Sequence, residues 1–178
     1  MTRGALLAGA AAAALAFVGA ARAASLQSHT EAFDVRQPPA RVGEALADVL
    51  SDWGQRATFG ADCGSWRGPS VDLDIAWRGE YLRLMALLRG DRVAALRYEQ
   101  TLDGTPGFGQ CAAHLDAFQR KWLNAGIAAG APRDAVYDGP VIRAVREAGR
   151  GGLTIGTFEG DYRESRAQCR VALIITEP

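Results

Sequence analysis

Apolar side chains recur at spacings of three and four between residues 42 and 53. On a helix with 3.6 residues per turn these positions form one stripe, so the pattern predicts an amphipathic helix over residues 41–54. Gly54 is suited to end that helix. The polar face carries acidic residues with no other functional group converging on them, which favours a structural or docking role. The stripe consists of Val42, Ala45, Leu46, Val49, Leu50 and Trp53.

A second pattern is the strict alternation of apolar with polar or small residues from residue 71 to residue 77, which predicts a half-buried strand. Leucines and Met85 gather between residues 80 and 89 and predict a second helix, ended by Gly90. Shorter strands are predicted at 32–35, 55–59 and 92–100. Residues 31–102 are therefore expected to form a small module in the order strand, helix, strand, strand, helix, strand.

Three glycines and Pro106 between residues 103 and 109 predict a break between two halves of the chain. Beyond it, the pattern predicts a helix at 111–125 and a short helix at 141–148, which begins just after Pro140. Strands are predicted at 153–158 and 170–176. The fold class expected from the sequence is α+β, with a second α+β segment over residues 109–178.

The first 23 residues have the pattern of a secretory signal peptide. Arg3 precedes an alanine-rich apolar run, and Ala21-Arg22-Ala23 supplies small residues for cleavage. A membrane anchor is the alternative, but the run is short for a span of about 20 residues. The expected location is the periplasm, reached through a cleaved signal peptide.

Charge and cysteine content narrow the class of protein further. The 178 residues carry 20 basic and 20 acidic side chains, which gives no electrostatic case for a nucleic-acid partner. An oxidising compartment favours a disulfide among Cys63, Cys111 and Cys169. Three pairings are possible, and the sequence favours Cys111–Cys169, since both residues lie at element boundaries in the same half.

No catalytic or metal-binding motif stands out. Cys63 lies in a glycine-rich loop without a base nearby, and the histidines, His29 and His114, lie in a leader and on a predicted helix. Asp72 and Asp74 are expected on the wet face of a strand. Arg143, Arg146 and Arg150 are expected to form a solvated helix edge. We expect no cofactor, no metal and no enzymatic activity.

Two aromatic residues lie in predicted loops, Trp66 and Phe108. Aromatic side chains in such places serve as contacts for a partner. They also fold down over a small core, and the sequence leaves the two alternatives open.

Residues 31–100 resemble the short N-terminal module of secretins and TonB-dependent receptors, including toxin-coregulated-pilus Q-type proteins. The matching features are Phe33-Asp34-Val35, then Glu44-Ala45-Leu46 and Leu50, then Gly79 with the following leucine-rich segment. The loop around Cys63 is longer and richer in glycine than that module has. The resemblance implies a periplasmic module that docks to other envelope proteins through a sheet edge or a helix face.

Residues 92–178 are similar in element order to the peptidoglycan-binding domain of OmpA-like proteins. Leu102-Asp103-Gly104 stands where that family has a Thr-Asp turn, and residues 170–174 stand for its closing strand. The family's helix arginine falls on Gln119, one place before Arg120, and its closing asparagine falls on Cys169. This resemblance implies possible peptidoglycan contacts at Asp103 and Arg120.

The function expected from these features is that of a non-catalytic periplasmic component of an envelope assembly or transport system, of the pilus-biogenesis or secretion type. It would dock to outer-membrane or periplasmic proteins. The alternatives are an OmpA-like peptidoglycan-binding domain and a small periplasmic enzyme.

Overall fold

The computed structural model describes residues 40–77, 80–104, 107–132, 136–138 and 141–176. Its α-helices are α1, Leu46–Trp53, and α2, Phe108–Leu123. Short 3-10 helices cover Gly54–Arg56 and Glu164–Arg166. The strands are β1 Thr58–Ala61, β2 Pro69–Trp77, β3 Glu80–Arg89, β4 Arg92–Asp103, β5 Ala128–Pro132, β6 Val136–Asp138, β7 Val141–Arg150, β8 Leu153–Arg163 and β9 Gln168–Ile175. The expected signal peptide and the strand at 32–35 lie outside the described residues.

All nine described strands belong to one antiparallel sheet, in the order β1-β2-β3-β4-β9-β8-β7-β5, and β6 also pairs with β7. The first four strands form a meander, after which β4 pairs with the last strand of the chain, as at Tyr98↔Leu173. Strands from both sides of the break at residues 103–109 therefore share hydrogen bonds in a single sheet.

The predicted α+β class is wrong, because the described part of the chain is β-rich. The predicted helix at 80–89 is strand β3, whose residues pair with β2 on one side and β4 on the other. Leu82, Leu84 and Leu88 face one side, while Met85 and Leu87 are buried on the other. A strand buried on both faces has a nearly continuous apolar run, which resembles a buried helix segment in sequence.

The predicted short helix at 141–148 is also wrong. This segment is β7, which pairs along its length with β8 and alternates in the manner of a strand. Arg143 and Arg146 lie on opposite faces of the sheet, since they are three residues apart in a strand. The expected basic helix edge therefore does not exist.

Other predicted elements are confirmed. The alternating segment at 71–77 lies within β2, and the helix predicted at 111–125 corresponds to α2. The first amphipathic stripe forms a shorter helix than expected, α1, because the residues before it pair with the sheet. Ala45 bridges to Arg92, and the Gly43 amide donates to the Val93 carbonyl at 2.8 Å.

The main core lies between one face of the sheet and the two helices. Trp53 of α1 and Trp122 of α2 are buried there, and the Trp122 ring centre lies 5.0 Å from that of Tyr98 in β4. Phe118 makes an edge-on contact with Phe158 of β8. Among the described helices, none is long and apolar enough to cross a membrane.

A disulfide joins α2 to the sheet. The predicted pair Cys111–Cys169 is confirmed, with a Cα–Cα distance of 5.5 Å, and it links the first turn of α2 to the start of β9. The bridge spans 58 positions in the sequence, for which the chain-entropy model gives about 4 kcal/mol of stabilisation.

Candidate functional site

The face of the sheet opposite the helices carries a cluster of buried charges. Alternation in β4 places Leu96 and Tyr98 in the main core and directs Arg97 and Glu99 to the other face. Glu159 and Asp161 of β8 are buried on the same face. The side chain of Arg97 is 0% exposed, so its positive charge depends on these carboxylates.

Arg97 is the centre of this ionic cluster. Its Nε donates to Glu99 Oε2 at 2.9 Å, and its Nη1 donates to Glu159 Oε2 at 3.0 Å. Its Nη2 lies 4.0 Å from Asp161 Oδ2. Burial lowers the pKa of Arg97, but the facing carboxylates outweigh that effect and hold the pKa above its ordinary value. The guanidinium is therefore charged at every physiological pH.

Arg143 of β7 extends the cluster to the next strand. Its Nε donates to Asp161 Oδ1 at 2.6 Å and lies 3.9 Å from Glu159 Oε2. Two buried arginines are thus paired with three buried carboxylates across β4, β8 and β7. The charges of this network are therefore compensated mainly by one another, within the chain itself.

The loop between β1 and β2 covers this cluster. The Ser65 hydroxyl donates to Glu159 Oε1 at 2.9 Å, across a sequence separation of 94. Gly64 has a φ of +58°, and a Cβ there would lie 2.6 Å from Arg97 Nη1. A glycine is needed at this position both for its backbone conformation and for the close approach of the loop to the guanidinium.

Cys63 lies in this loop and is half-buried. Burial raises the pKa of its thiol, Arg97 lowers it, and Glu99 and Asp72 raise it further. The thiol therefore remains protonated at neutral pH, and a protonated thiol is a poor nucleophile. His114 is exposed on α2, which packs on the opposite face of the sheet, so it is not a base for this thiol.

The two aspartates of β2 differ in environment. Asp72 is buried and accepts a hydrogen bond from the Ser70 hydroxyl at 2.7 Å, contrary to the expectation of a wet face. Asp74 is exposed, as expected, and lies 3.7 Å from Arg83 Nε. Their side chains share a face, and Arg83 Nε also lies 4.0 Å from Asp72 Oδ2.

The aromatic residues singled out in the sequence pack against buried residues on the two faces of the sheet. Trp66 is half-buried against Met85, Leu87, Ala95 and Ile174, and Phe108 is half-buried with its ring centre 6.4 Å from that of Tyr162. The large apolar side chains that the described structure leaves exposed are others: Phe59, Tyr81, Leu123 and Leu153.

Asp103 and Arg120 are not brought together. Asp103 pairs with Gln168 at the end of β4, beside the disulfide that holds the first turn of α2. Arg120 lies in the last turn of that helix, roughly 13 Å further along its axis than Cys111. This placement does not support the binding of one peptidoglycan group by both residues.

The described sheet ends at β1 on one side and at β5 and β6 on the other, and neither edge is paired with a further described strand. Strand β1 pairs only with β2 among the described strands, so its outer backbone groups have no strand partner there. Phe59, in the middle of β1, is 72% exposed. An open edge next to an exposed aromatic side chain is a surface on which an extended segment of another protein can add.

The sequence did not lead us to predict the ionic cluster. One local feature indicated it: Arg97 lies between Leu96 and Tyr98 in a predicted strand, so its charge is on the second face of a buried element. Its partner Glu159 is 62 positions away, a pairing that no local pattern encodes.

The described residues contain no group of three or more His, Cys, Asp and Glu side chains arranged to hold a metal ion. Comparison with protein-family models, with curated proteins and with solved structures found no match.

Proposed function

We propose that this chain is a non-catalytic protein of the cell envelope, exported to the periplasm, which acts by docking to an outer-membrane or periplasmic protein. The observation that carries the proposal is the open β1 edge with Phe59 exposed on it. A partner of the pilus-biogenesis or secretion type would add an extended segment to this edge through main-chain hydrogen bonds.

The disulfide supports the exported location. Cys111 and Cys169 are bonded and buried, and such bonds persist in oxidising compartments. The signal-peptide pattern of residues 1–23 supports the same location from the sequence.

The chemistry of the buried face supports a non-catalytic role. Arg97 and Arg143 are held by carboxylates of the chain itself, and the Cys63 thiol is kept protonated by burial. These groups are occupied with one another instead of converging on an empty space.

Photo-cross-linking in cells tests the proposal. A photoreactive amino acid replaces Phe59 in one variant and Leu153 in the control, a β8 residue that is 73% exposed. We expect the Phe59 variant, isolated from the periplasmic fraction, to form one dominant adduct with an envelope protein that the Leu153 variant does not form.

The proposal fails if the chain stays in the cytoplasmic fraction. It also fails if the Phe59 position gives no adduct, or the same adducts as Leu153. Any of these results would favour the alternative of a small periplasmic enzyme. Substrate screening with the purified protein would then test that alternative.

A further inference from the structure

A cleft of about 390 Å³ opens between the last turns of α2 and strand β5, at the opposite end of the sheet from β1. Its volume lies within the range of small-molecule sites. Two arginines from different elements line it, together with a buried amide and small apolar walls. The lining consists of Asp116, Gln119, Arg120, Leu123, Ala128, Ala129 and Arg146.

Arg146 of β7 fixes the orientation of the amide. Its Nη1 donates to Gln119 Oε1 at 2.9 Å and lies 2.9 Å from Asp116 Oδ1. If the Gln119 amide were turned over, its Nε2 would face a guanidinium donor, so the orientation with Oε1 toward Arg146 is required.

The consequence is an unused donor. Gln119 is 6% exposed, and its Nε2 has no hydrogen-bond partner among the described residues. A buried N–H without an acceptor is unfavourable, because it has given up its hydrogen bond to water. An acceptor oxygen that reaches this N–H from the cleft would supply the missing hydrogen bond. Asp116 Oδ1 also lacks a hydrogen bond, but its charge is paired with that of Arg146.

The charged side chains that line the cleft determine which charge the ligand should carry. Arg120 and Arg146 oppose the single carboxylate of Asp116, which leaves one positive charge in excess. Arg120 is exposed at the cleft and has no ion-pair partner within the described part of the chain. A guanidinium beside an amide donor matches a carboxylate, which accepts one bond on each oxygen.

We infer that this cleft binds a small organic monoanion, a carboxylate carried on a short apolar chain. The carboxylate would bind Arg120 and the Gln119 amide, and the chain would lie on Leu123 and the alanines of β5. This site is separate from the β1 edge, and its occupancy does not depend on the docking proposed above.

Titration with hexanoate, followed by NMR of the ¹⁵N-labelled full chain, tests the inference. The side-chain NH₂ resonances of Gln119, identified by their loss in Gln119→Glu, report on the cleft directly. We expect a saturable shift with hexanoate and none with hexanol, which has the same chain without the charge. Inorganic phosphate is expected to bind more weakly, because it carries more negative charge than the cleft balances.

A matched pair of variants locates the binding. Arg120→Gln is expected to weaken hexanoate binding by at least about tenfold, since it removes a charged hydrogen bond. Arg89→Gln, at an exposed position in β3, is expected to leave it unchanged. The inference is overturned by an absent or non-saturable Gln119 shift, by equal effects of hexanoate and hexanol, by equal binding of phosphate, or by full binding in Arg120→Gln.

Discussion

Arg97 is a fully buried guanidinium that faces three carboxylates, so its replacement leaves their charges without compensation. We predict that Arg97→Met lowers the free energy of unfolding by about 3–5 kcal/mol. Urea unfolding followed by fluorescence measures the change. Arg89→Met, at an exposed position, is the control and should stay within about 0.5 kcal/mol of the parent. Equal effects of the two substitutions would contradict the buried cluster.

The thiol of Cys63 reports on the loop above that cluster. Burial raises its pKa, so the thiolate fraction at pH 8 is smaller than in an unfolded chain. We predict that iodoacetamide modifies Cys63 more slowly in the folded protein than in urea at the same pH, and that Ser65→Ala speeds the reaction by releasing the loop from Glu159. Ser51→Ala, on the exposed side of α1, should not change the rate.

The same shift has a consequence for stability. The pKa of Cys63 is higher in the folded than in the unfolded chain, so the neutral thiol contributes to the stability of the folded protein. This contribution is fully present below the unfolded pKa of about 8.5 and is lost as the pH rises through the folded pKa. Cys63→Ser should therefore lose less stability than the parent when the pH rises from 8 to 10. A parallel decline in both proteins would show that Cys63 is not buried.

Among the elements, the pairing of β8 with β9 is the most sharply testable. A Cβ on Gly156 would clash with the Ile174 carbonyl oxygen, a backbone atom that cannot move without breaking the sheet. We predict that Gly156→Ala lowers the free energy of unfolding by several kcal/mol or prevents folding. Gly109→Ala, in α2 with nothing within 4 Å of its Cβ, should be neutral or raise stability by up to about 1 kcal/mol. Similar effects of both changes would contradict the assigned strand pairing.

The sequence predicted elements with a visible apolar period, such as β2 and α2, and also β9, whose short apolar run has the length of a strand. Residues 71–77 alternate with period two because one side of β2 packs on the core, and α2 shows the helical period for the same reason. Glu80–Arg89 is buried on both faces, so its period is hidden, and leucine and methionine favour the helical interpretation by intrinsic propensity. The partner strands on either side decide the outcome, and they are not visible within the segment.

Across the whole molecule, the pairing of β4 with β9 joins the two halves into one sheet. We predict a single cooperative unfolding transition, with coincident far-UV and near-UV circular dichroism curves. We also predict that residues 107–176 alone do not fold, because Val171 and Leu173 of β9 would lose the neighbouring strand. Two separate transitions, or a folded fragment, would contradict the single sheet.

The candidate site could be predicted only in part, because most of its contacts join residues that are far apart in the sequence. The disulfide followed from cysteines at element boundaries, a local feature. The Arg97–Glu159 pair, the Ser65–Glu159 bond and the open β1 edge depend on strand order, which is set by contacts between distant parts of the chain. Arg120 was singled out through a resemblance, but its neighbour Arg146 was expected on a helix that does not form.

In the proposed function, the β1 edge receives an extended segment of an envelope protein. Amide hydrogen exchange of the purified chain, measured with and without the partner captured through Phe59, shows whether that edge is covered. We expect the partner to slow amide exchange in Thr58–Ala61, while Leu153 and its neighbours keep their exchange rates. Unchanged exchange in β1, or protection confined to another part of the sheet, would contradict it.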